Sequence, residues 1–339
     1  MIHLLPIEPI AERYSADWLR WWPRGLQDAG APCLVHHGED LAQGIEVGQF
    51  LDVFGTHYYK ATQVAQFIKA MRSGAVKAGD TVLLLDGWNP MVECLAYIRD
   101  AMGLKVKIAG CLHAGTWDAW DFLSQKGLGR WAASVERGWF EAYDHLFVAT
   151  GFHRNLILEH AMAGERSALA RRVHVTGFPL YAGELAQYQT PWADRPRRVV
   201  FPHRLALEKD PDAFARLEAS YRNKYGDDGT EWVRSRDVYT GKSSYYTLLG
   251  GSRVSVSTAK QETWGIAMLE SLALGCHTIA PYRLSYPETL PRKGLYDSLD
   301  EAVALIHTAL DAKQPAAYDG TAWETAIAQV VKVLQGNGA

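Results

Sequence analysis

The feature that most constrains this chain is a regular alternation of short apolar runs with longer helical ones. Runs such as Thr81–Asp86 and Val199–Phe201 are each followed by a helical pattern, Met91–Met102 and Pro211–Lys224 respectively. Such spacing is typical of βαβ units, because parallel strands need a long crossover connection. Since these strands are covered on both faces, they read as continuous apolar runs. The alternation therefore predicts an α/β fold with doubly wound parallel sheets.

The length of the chain predicts two domains. Its 339 residues exceed what a single core of average size needs. A polar run with two prolines and three arginines, Tyr188–Arg198, separates two series of alternating elements. We therefore expect one domain over residues 1–185, a second over residues 196–315, and a last helix over residues 318–335.

Composition excludes several classes of protein. A hydrophobic content of 48% and a charged content of 22% are typical of a globular enzyme. The net charge of −3 argues against charge-driven, nonspecific nucleic-acid binding, although a local basic groove remains compatible with it. No apolar run approaches the roughly 20 residues that span a bilayer, and the charged start is unlike a signal peptide. We expect a cytoplasmic protein with no membrane partner and infer no obligate protein partner.

Familiar cofactor motifs do not occur in the sequence. No histidine or cysteine grouping has zinc spacing, and there is no phosphate-binding G-x-x-x-x-G-K loop or convincing G-x-G-x-x-G. Asp210–Pro211–Asp212 formally matches a D-x-D metal motif, but it stands where a helix cap is expected. We expect no metal and no other cofactor.

Two carboxylates, eight residues apart, mark the segment Val254–Pro287, which reads as a strand, a loop, a helix and a second strand. Glu262 stands in the loop just before the helix, and Glu270 stands about two turns inside it. The helix is otherwise apolar, and a carboxylate buried there needs a partner. The alternative is an acid at the helix start and a second, solvated acid on the surface.

A second motif precedes that segment. The strand Val199–Phe201 leads through a turn to Arg204 and Lys209, and then to a helix that starts at Pro211 with Asp210 as its cap. Arginine binds phosphate through a planar fork, and lysine binds it as a point charge. Both cations are candidates for a diphosphate site, and the alternative is that they are ordinary surface charges.

Together the two motifs resemble the donor-binding half of retaining nucleotide-sugar glycosyltransferases of the GT-B fold, similar to glycosyltransferase family 4. The two glutamates resemble the E-x7-E segment of that family, and the two cations stand at its arginine-to-lysine spacing. Thr263, Trp264 and Gly265 stand where the family usually has an aromatic residue and a glycine at the helix start. A glycine there lets the backbone approach a phosphate closely, and helix N-termini favour anions.

The resemblance implies an enzyme that moves a hexose from a nucleotide diphosphate sugar to an acceptor hydroxyl, with retention of configuration and without a metal. It implies that Arg204 and Lys209 bind the donor diphosphate, where fixed cations stabilise the charge of the leaving group. It further implies that Glu270 binds the ribose and Glu262 the sugar. The implied architecture is two Rossmann-like domains facing a cleft, with the last helix crossing back to the first domain.

The first half contains the candidates for the acceptor side. A run from Gly110 to Phe122 follows the predicted strand Lys105–Ala109 and holds a histidine, two acids and two tryptophans. His113 resembles the histidine that related enzymes place near the reacting sugar, and we predict a catalytic role for it. The alternative is a hydrogen-bonded structural histidine.

Three acids and a tryptophan complete the acceptor candidates. We predict that Asp118 is the base, since a carboxylate can accept the proton of the acceptor hydroxyl. Trp117 and Asp121 are predicted to bind the acceptor, as is Asp86, which ends the strand Thr81–Asp86. The alternative for the three acids is helix capping.

The acceptor itself is suggested by two further resemblances. The segment S-T-A-K-Q-E-T-W-G-I-A-M-L-E, with Arg283–Glu288, resembles the queuosine-tRNA mannosyltransferase branch of the family. The run H-A-G-T-W-D resembles viral glycosyltransferases that modify DNA bases. Both imply a hydroxylated nucleobase, in DNA first and in tRNA second, with UDP-glucose or GDP-mannose as the type of donor. A glycan or small-molecule acceptor is the alternative, and a non-catalytic sugar-nucleotide binding protein is the alternative of another class.

Two groups of cations are candidates for contacts with nucleic-acid phosphates. They are Lys126, Arg130 and Arg137 in the first half and Arg195, Arg197 and Arg198 in the second. The alternative is that both groups are solvated surface. Most of the 12 tryptophans lie before residue 140, where they suit base stacking or a hydrophobic core.

Overall fold

A computed structural model describes residues 1–11, 13–41, 52–160 and 166–336. Their contacts divide the chain into two compact units. The first unit comprises residues 1–149, 153–179 and 325–336 as far as they are described, and the second comprises residues 150–152 and 180–324.

Among the described residues of the first unit, six strands form one parallel sheet in the order β2-β1-β3-β4-β5-β6. In chain order they are β1 (Ile2–Leu5), β2 (Cys33–Val35), β3 (Thr81–Leu84), β4 (Lys107–Cys111), β5 (His145–Val148) and β6 (Val173–Val175). The helices between these strands are α1 (Tyr14–Asp28), α2 (Val53–Arg72), α3 (Val92–Ala101), α4 (Phe122–Gln125), α5 (Gly129–Ala142), α6 (Gly151–His160) and α7 (Arg166–Ala170).

The core of the first unit lies on both sides of this sheet. Every residue of β3 is buried, as expected of a strand covered on both faces. The inward side of α1 carries Trp18, Trp22 and Leu26, all fully buried. Helix α1 runs through Pro23, and the burial of three large side chains compensates for the backbone hydrogen bond that a proline lacks.

The second unit contains a parallel sheet of the same kind. Its described strands are ordered β11-β10-β9-β7-β8, and they are β7 (Arg198–Phe201), β8 (Glu231–Arg234), β9 (Val254–Val256), β10 (His277–Pro281) and β11 (Leu295–Tyr296). The helices are α8 (Pro211–Tyr225), α9 (Ser235–Val238), α10 (Lys242–Gly250), α11 (Ile266–Ala273), α12 (Tyr286–Thr289), α13 (Leu299–Leu310) and α14 (Thr321–Glu324). Because β7 and β9 are parallel neighbours, the loops that follow them leave the same edge of the sheet.

The last helix, α15 (Ala326–Leu334), is part of the first unit and packs against α1. Its final carbonyl, that of Leu334, accepts a hydrogen bond from the Lys107 ammonium at 3.2 Å. No helix in the described ranges is both long and apolar enough to cross a membrane.

One strand differs in position from the sequence-based expectation. Lys105–Ala109 was predicted, but β4 runs two residues later, because Gly110 and Cys111 pair with Leu146 and Phe147 of β5. Gly110 must be small there, since a Cβ atom would lie 2.7 Å from the ring of Tyr143. The loop that carries the acceptor candidates therefore begins at residue 112.

Candidate functional site

The carboxyl edge of the second sheet gathers the residues of both sequence motifs. Arg204 and Lys209 lie in the loop after β7, and Glu262 lies in the loop after β9. The two loops are joined by backbone hydrogen bonds, because the amides of Lys260 and Gln261 both donate to the Glu208 carbonyl, at 2.8 and 3.3 Å. Residues more than 50 positions apart in the sequence are thus fixed against each other.

A buried ion pair lies at the centre of this edge. The Lys209 ammonium is 3.1 Å from a carboxylate oxygen of Glu262, and these side chains are only 9% and 16% exposed. The ammonium also donates to the Gln261 carbonyl at 2.7 Å. A buried carboxylate requires such a partner, because an unpaired buried charge is strongly unfavourable.

The charge state of Glu262 follows from its surroundings. Burial by itself raises the pKa of Glu262, but the Lys209 ammonium and the Gly265 amide hold that pKa below its ordinary value. At neutral pH the side chain is therefore a carboxylate. The site therefore presents an anion and a cation next to each other.

Arg204 lies at the solvent-facing part of the same edge. Its side chain is 41% exposed, and its guanidinium makes an ion pair with Glu208 at 2.5 Å. Exposed ion pairs of this kind contribute only about 0–1 kcal/mol to stability. The pair with Glu208 therefore holds the Arg204 guanidinium only weakly.

The entry into α11 requires Gly265. This residue is the N-cap of the helix and has a left-handed φ of 85°. A Cβ atom at this position would lie 3.2 Å from the ring of Tyr286 and 3.6 Å from Glu262. The glycine thus lets the chain turn tightly beside Glu262 into a helix whose N-terminal amides favour an anion.

The second glutamate of the motif is buried inside α11. Glu270 is 6% exposed and accepts a hydrogen bond at 2.9 Å from the hydroxyl of Tyr246, which lies on α10. The sequence analysis left open a solvated surface acid at this position, and the burial of Glu270 excludes that alternative. Tyr246 fixes the orientation of one carboxylate oxygen of Glu270.

The loop between Glu262 and α11 is anchored from outside the motif. Thr263 is buried, and its carbonyl accepts a hydrogen bond at 2.8 Å from the hydroxyl of Thr150, a residue grouped with the second unit. Trp264 is 5% exposed, and its ring lies 6.4 Å from that of Trp323 on α14. Thr263 and Trp264 therefore support the loop, while Gly265 shapes it.

Beneath the ion pair lies a chain of polar groups that the sequence analysis did not predict. His203 shares a hydrogen bond with the Ser257 hydroxyl at 2.9 Å, and Ser257 shares one with the Tyr286 hydroxyl at 2.6 Å. Burial and the neighbouring Lys209 lower the pKa of His203 to about 3, so that its ring is neutral. These contacts span 54 and 29 residues of sequence, and no local spacing signals them.

A carboxylate near the end of the resembling segment was likewise not predicted as a site residue. Glu288, on α12, accepts hydrogen bonds at 2.7 Å from the amides of Gly151 and Phe152, which are grouped with the second unit. Both carboxylate oxygens are thereby satisfied, Oε2 by the Gly151 amide and Oε1 by the Phe152 amide.

In the first unit, His113 makes hydrogen bonds through both ring nitrogens. The Leu85 carbonyl, 2.8 Å from Nε2, can only accept, so Nε2 carries the proton and Nδ1 accepts from the Tyr14 hydroxyl at 3.2 Å. Burial lowers the pKa of His113, which is therefore a neutral ring packed 4.9 Å from Phe178. This geometry matches the alternative of a hydrogen-bonded structural histidine, and the predicted catalytic role stays a prediction.

The loop after His113 uses its acids as local caps. Asp118 accepts from the Trp120 amide at 2.8 Å, and Asp121 caps α4 by accepting from the Leu123 amide at 2.9 Å. Both carboxylates are 7% exposed. Burial raises the pKa of Asp121 to about 6, with Asp118 and Glu136 adding to the effect.

Trp117 and Asp86 differ in exposure. The Trp117 indole is 8% exposed, and its N–H donates to His153 at 3.1 Å inside the core. Asp86 has a side chain that is 24% exposed and makes an ion pair with Lys60 at 2.7 Å. Of the predicted acceptor-binding residues, Asp86 therefore presents the most accessible polar group.

Glu136 is a buried carboxylate that the sequence analysis did not single out. It is 1% exposed, and it accepts hydrogen bonds from the Trp88 indole at 2.8 Å, from the Thr116 amide at 2.9 Å and from the Thr116 hydroxyl. His160 lies 3.6 Å away. These contacts tie α5 to the loops after β3 and β4.

Comparison with known proteins supports the fold and offers a limited functional lead. No protein-family model matches the chain. The tRNA-queuosine alpha-mannosyltransferase of Drosophila melanogaster is 50% identical to this chain over 52 residues, which are 15% of this chain and 14% of that protein. The chain thus matches only a small part of that relative's length.

Solved structures match over nearly the whole chain. The apo form of the lipopolysaccharide outer core galactosyltransferase WaaB has a TM-score of 0.62 with 12% identity and covers all of both chains. Sucrose-phosphate synthase from Thermosynechococcus elongatus has a TM-score of 0.58 with 12% identity, over 99% of this chain and 94% of its own. Together with the two parallel sheets, these matches confirm the predicted GT-B fold.

Proposed function

We propose that the protein is a glycosyltransferase that binds a nucleotide diphosphate sugar at the carboxyl edge of the second sheet. The observation that carries this proposal is the buried pair of Lys209 and Glu262, next to Arg204 and directly before α11. If this pair were purely structural it would add little to stability, since buried ion pairs often stabilise a fold no better than apolar residues do. The arrangement is better explained by a ligand that carries both negative charge and hydroxyl groups.

Each residue of this edge has a proposed role. Arg204 and Lys209 bind the diphosphate and stabilise its growing charge as the glycosidic bond breaks. Glu262 orients the sugar through its hydroxyls. Glu270, oriented by Tyr246, binds the ribose.

The surrounding loop completes the donor site. Thr263, Trp264 and Gly265 hold the backbone of the loop beside α11, whose N-terminal amides add further stabilisation of an anion. Transfer with retention of configuration and without a metal is part of the proposal. It is consistent with two protein cations at the place where the leaving group develops its charge.

For the acceptor we propose a hydroxylated modified base in a nucleic acid. The sequence resemblances put DNA first, but the 52-residue match to a tRNA-modifying enzyme now favours tRNA. On the acceptor side, Asp86 is a candidate contact because its carboxylate is partly exposed. The roles predicted for His113, Trp117, Asp118 and Asp121 require experiments that separate them from the structural roles described above.

The experiment is a transfer assay with radiolabelled UDP-glucose and GDP-mannose, each offered separately to bulk tRNA and to DNA containing 5-hydroxymethylated pyrimidines. We expect label to enter one polymer with the wild-type protein and not with Glu262→Gln. Glu218→Gln, which alters an exposed pair with Arg222, serves as the matched control and should retain activity.

The other outcomes are equally informative. Donor hydrolysis without labelling of either polymer would reject these nucleic-acid acceptors and favour a glycan or a small molecule. Donor binding without any turnover in either variant or in the wild type would identify a sugar-nucleotide binding protein instead of an enzyme.

A further inference from the structure

Helix α5 has one face in the core and a solvent-exposed face that carries large apolar side chains. Its inward face buries Ala132 and Phe140. On the outer face Trp131 is 54% exposed and Val135, one helical turn away, is 37% exposed. Trp120, two residues before α4, is also 37% exposed, and α4 packs on α5.

The accessible charges of residues 119–138 are of one sign, and Glu141, the next acid of α5, is paired with Arg172 at 2.8 Å. Between residues 119 and 138, the acids Asp121 and Glu136 are buried, whereas Lys126 and Arg130 are exposed and Arg137 is half-buried. The accessible charges of the stretch are thus all positive, although the whole chain has a net charge of −3. A local cluster of this kind attracts polyanions even when the net charge does not.

These three cations do not pair with carboxylates. Within residues 1–11, 13–41, 52–160 and 166–336, none of them lies within 4 Å of a carboxylate oxygen. Arg137 donates to the Ser134 hydroxyl at 3.3 Å, and the Lys126 ammonium lies 5.9 Å from the centre of the Phe122 ring. Their charge is therefore available to a ligand.

The other cation cluster of the sequence is different. Arg195 is 4% exposed and donates to the carbonyls of Thr190, Ser252 and Leu274. The remaining two arginines make ion pairs, Arg197 with Asp228 and Asp311 and Arg198 with Glu231. This cluster holds the second unit together and is excluded as a phosphate-binding surface.

We propose that the surface formed by Trp120, Lys126, Arg130, Trp131, Val135 and Arg137, the α5 surface, docks an unpaired stretch of RNA. The cations bind phosphates, and Trp131 stacks on a base. Arg130 and Arg137 are two helical turns apart, about 10 Å along the axis, so they reach different phosphates. An aromatic face can stack only on a base that is unpaired, and loops of RNA present such bases whereas duplex DNA does not.

This inference deepens the proposed function, since it assigns the nucleic-acid acceptor a place to bind, but it does not depend on catalysis. The test is binding of a fluorescein-labelled, mixed-sequence 20-nucleotide RNA, measured by anisotropy over a range of salt concentrations. The same sequence as single-stranded DNA and as duplex DNA provides the comparison. Donor hydrolysis is measured in parallel on every variant.

Two variants and two matched controls address the charge and the ring separately. Arg130→Glu/Arg137→Glu is matched by Lys69→Glu/Arg72→Glu, which changes the same number of charges at exposed positions of α2. Trp131→Ala is matched by Tyr97→Ala, which removes a 75% exposed ring from α3.

We expect Arg130→Glu/Arg137→Glu to lower the salt slope of RNA binding by about 1.4, which is about 0.7 per lost phosphate contact. We expect Trp131→Ala to weaken RNA binding about 5-fold or more. Both control variants should bind RNA as the wild type does. Donor hydrolysis should remain unchanged in the two α5 variants and in the two controls.

Three results would overturn the proposal. Unchanged RNA binding in both α5 variants would reject the surface while leaving the glycosyltransferase proposal intact. Losses of RNA affinity in the controls that equal those in the α5 variants would do the same. Tighter binding of single-stranded or duplex DNA than of RNA would reject RNA as the occupant. Absence of both sugar transfer and donor hydrolysis in the wild type, with RNA binding as expected, would instead reject the proposed function and leave the surface standing.

Discussion

The loop after β9 in the second unit and the loop after β4 in the first look alike in sequence, since each places at least one acid and one tryptophan beyond a buried strand. Their structures differ. In the second unit Glu262 pairs with Lys209, 53 positions earlier in the chain. In the first unit Asp118 and Asp121 accept hydrogen bonds from amides only two residues away. An acid satisfied by its own neighbours is explained by local structure, whereas a buried acid with a distant cation needs a further reason.

The largest expected effect concerns the distant pair. Lys209→Met leaves the buried carboxylate of Glu262 without its cation, and we expect a loss of about 3–5 kcal/mol in the free energy of unfolding at pH 7. Urea unfolding measures it. The double variant Lys209→Met/Glu262→Gln should recover most of that loss, and a double variant no more stable than the single one would contradict a direct pair.

The pH dependence of the same pair has a definite sign. Because the folded-state pKa of Glu262 is below its ordinary value of 4.5, the stabilisation is fully present above that pH and is lost as the pH falls through the folded-state pKa. The difference between the wild type and Lys209→Met should therefore shrink in acid.

Glu262→Gln keeps the shape of the side chain and removes its charge. We expect sugar transfer to fall on the order of 10²–10³-fold, the usual effect of removing one charged or hydrogen-bonding group from a transition-state site. Initial rates and thermal unfolding are measured together. A fall in rate that is matched by unfolding at the assay temperature would argue against a role for Glu262 in the reaction.

Tyr246→Phe tests whether Glu270 needs to be oriented. Hydrogen bonds to charged groups contribute about 1.5–3 kcal/mol, and we expect the KM for the donor to rise about 10-fold or more with a smaller change in kcat. A donor that lacks the ribose hydroxyls should respond much less. Equal effects on both donors would indicate that Tyr246 only supports the fold.

Asp121→Asn probes the first-unit loop. Asp121 ionises at a pKa of about 6 when folded and near 3.8 when unfolded, so its ionisation lowers stability as the pH rises from about 4 to 6. Asparagine still accepts from the Leu123 amide. We expect the variant to be about 1–3 kcal/mol more stable than the wild type at pH 7, with no difference below about pH 4. Urea unfolding at both pH values measures this, and a destabilised variant at pH 7 would show that the carboxylate has another partner.

The smallest effect is expected for Asp118→Asn, which also retains an acceptor for its local amide. If Asp118 is only a cap, transfer stays within about 2-fold of the wild type. The predicted role as a base requires a loss of about 10²–10⁴-fold instead. The geometry leads us to expect the small effect, and kcat for transfer to the polymer acceptor decides between the two.

Sequence spacing predicted the local structure around the second-unit motifs well, because helix caps and turns depend on residues that are close in the chain. Asp210 caps α8 as predicted, by accepting from the Ala213 amide at 3.2 Å. Gly265 does begin the helix that carries Glu270. Turn and cap signals of this kind depend on residues within one or two turns, which a pattern can represent.

The same reasoning failed where partners lie far apart. Nothing in the spacing of Ser257 or Glu136 indicates that these side chains form buried polar networks. The position of β4 was also missed, because its ends are set by pairing with β3 and β5 and not by its own residues.

The sequence by itself determined the alternation of strands and helices, hence the class of fold, and the motifs that place two cations and Glu262 in the loops after β7 and β9 and Glu270 on α11. Only the tertiary structure decided which charges pair, which tryptophans are buried, and which of two basic clusters remains available for a ligand. The physical reason is that propensity and capping act over a few residues, whereas burial and ion pairing depend on groups that folding brings together across the chain.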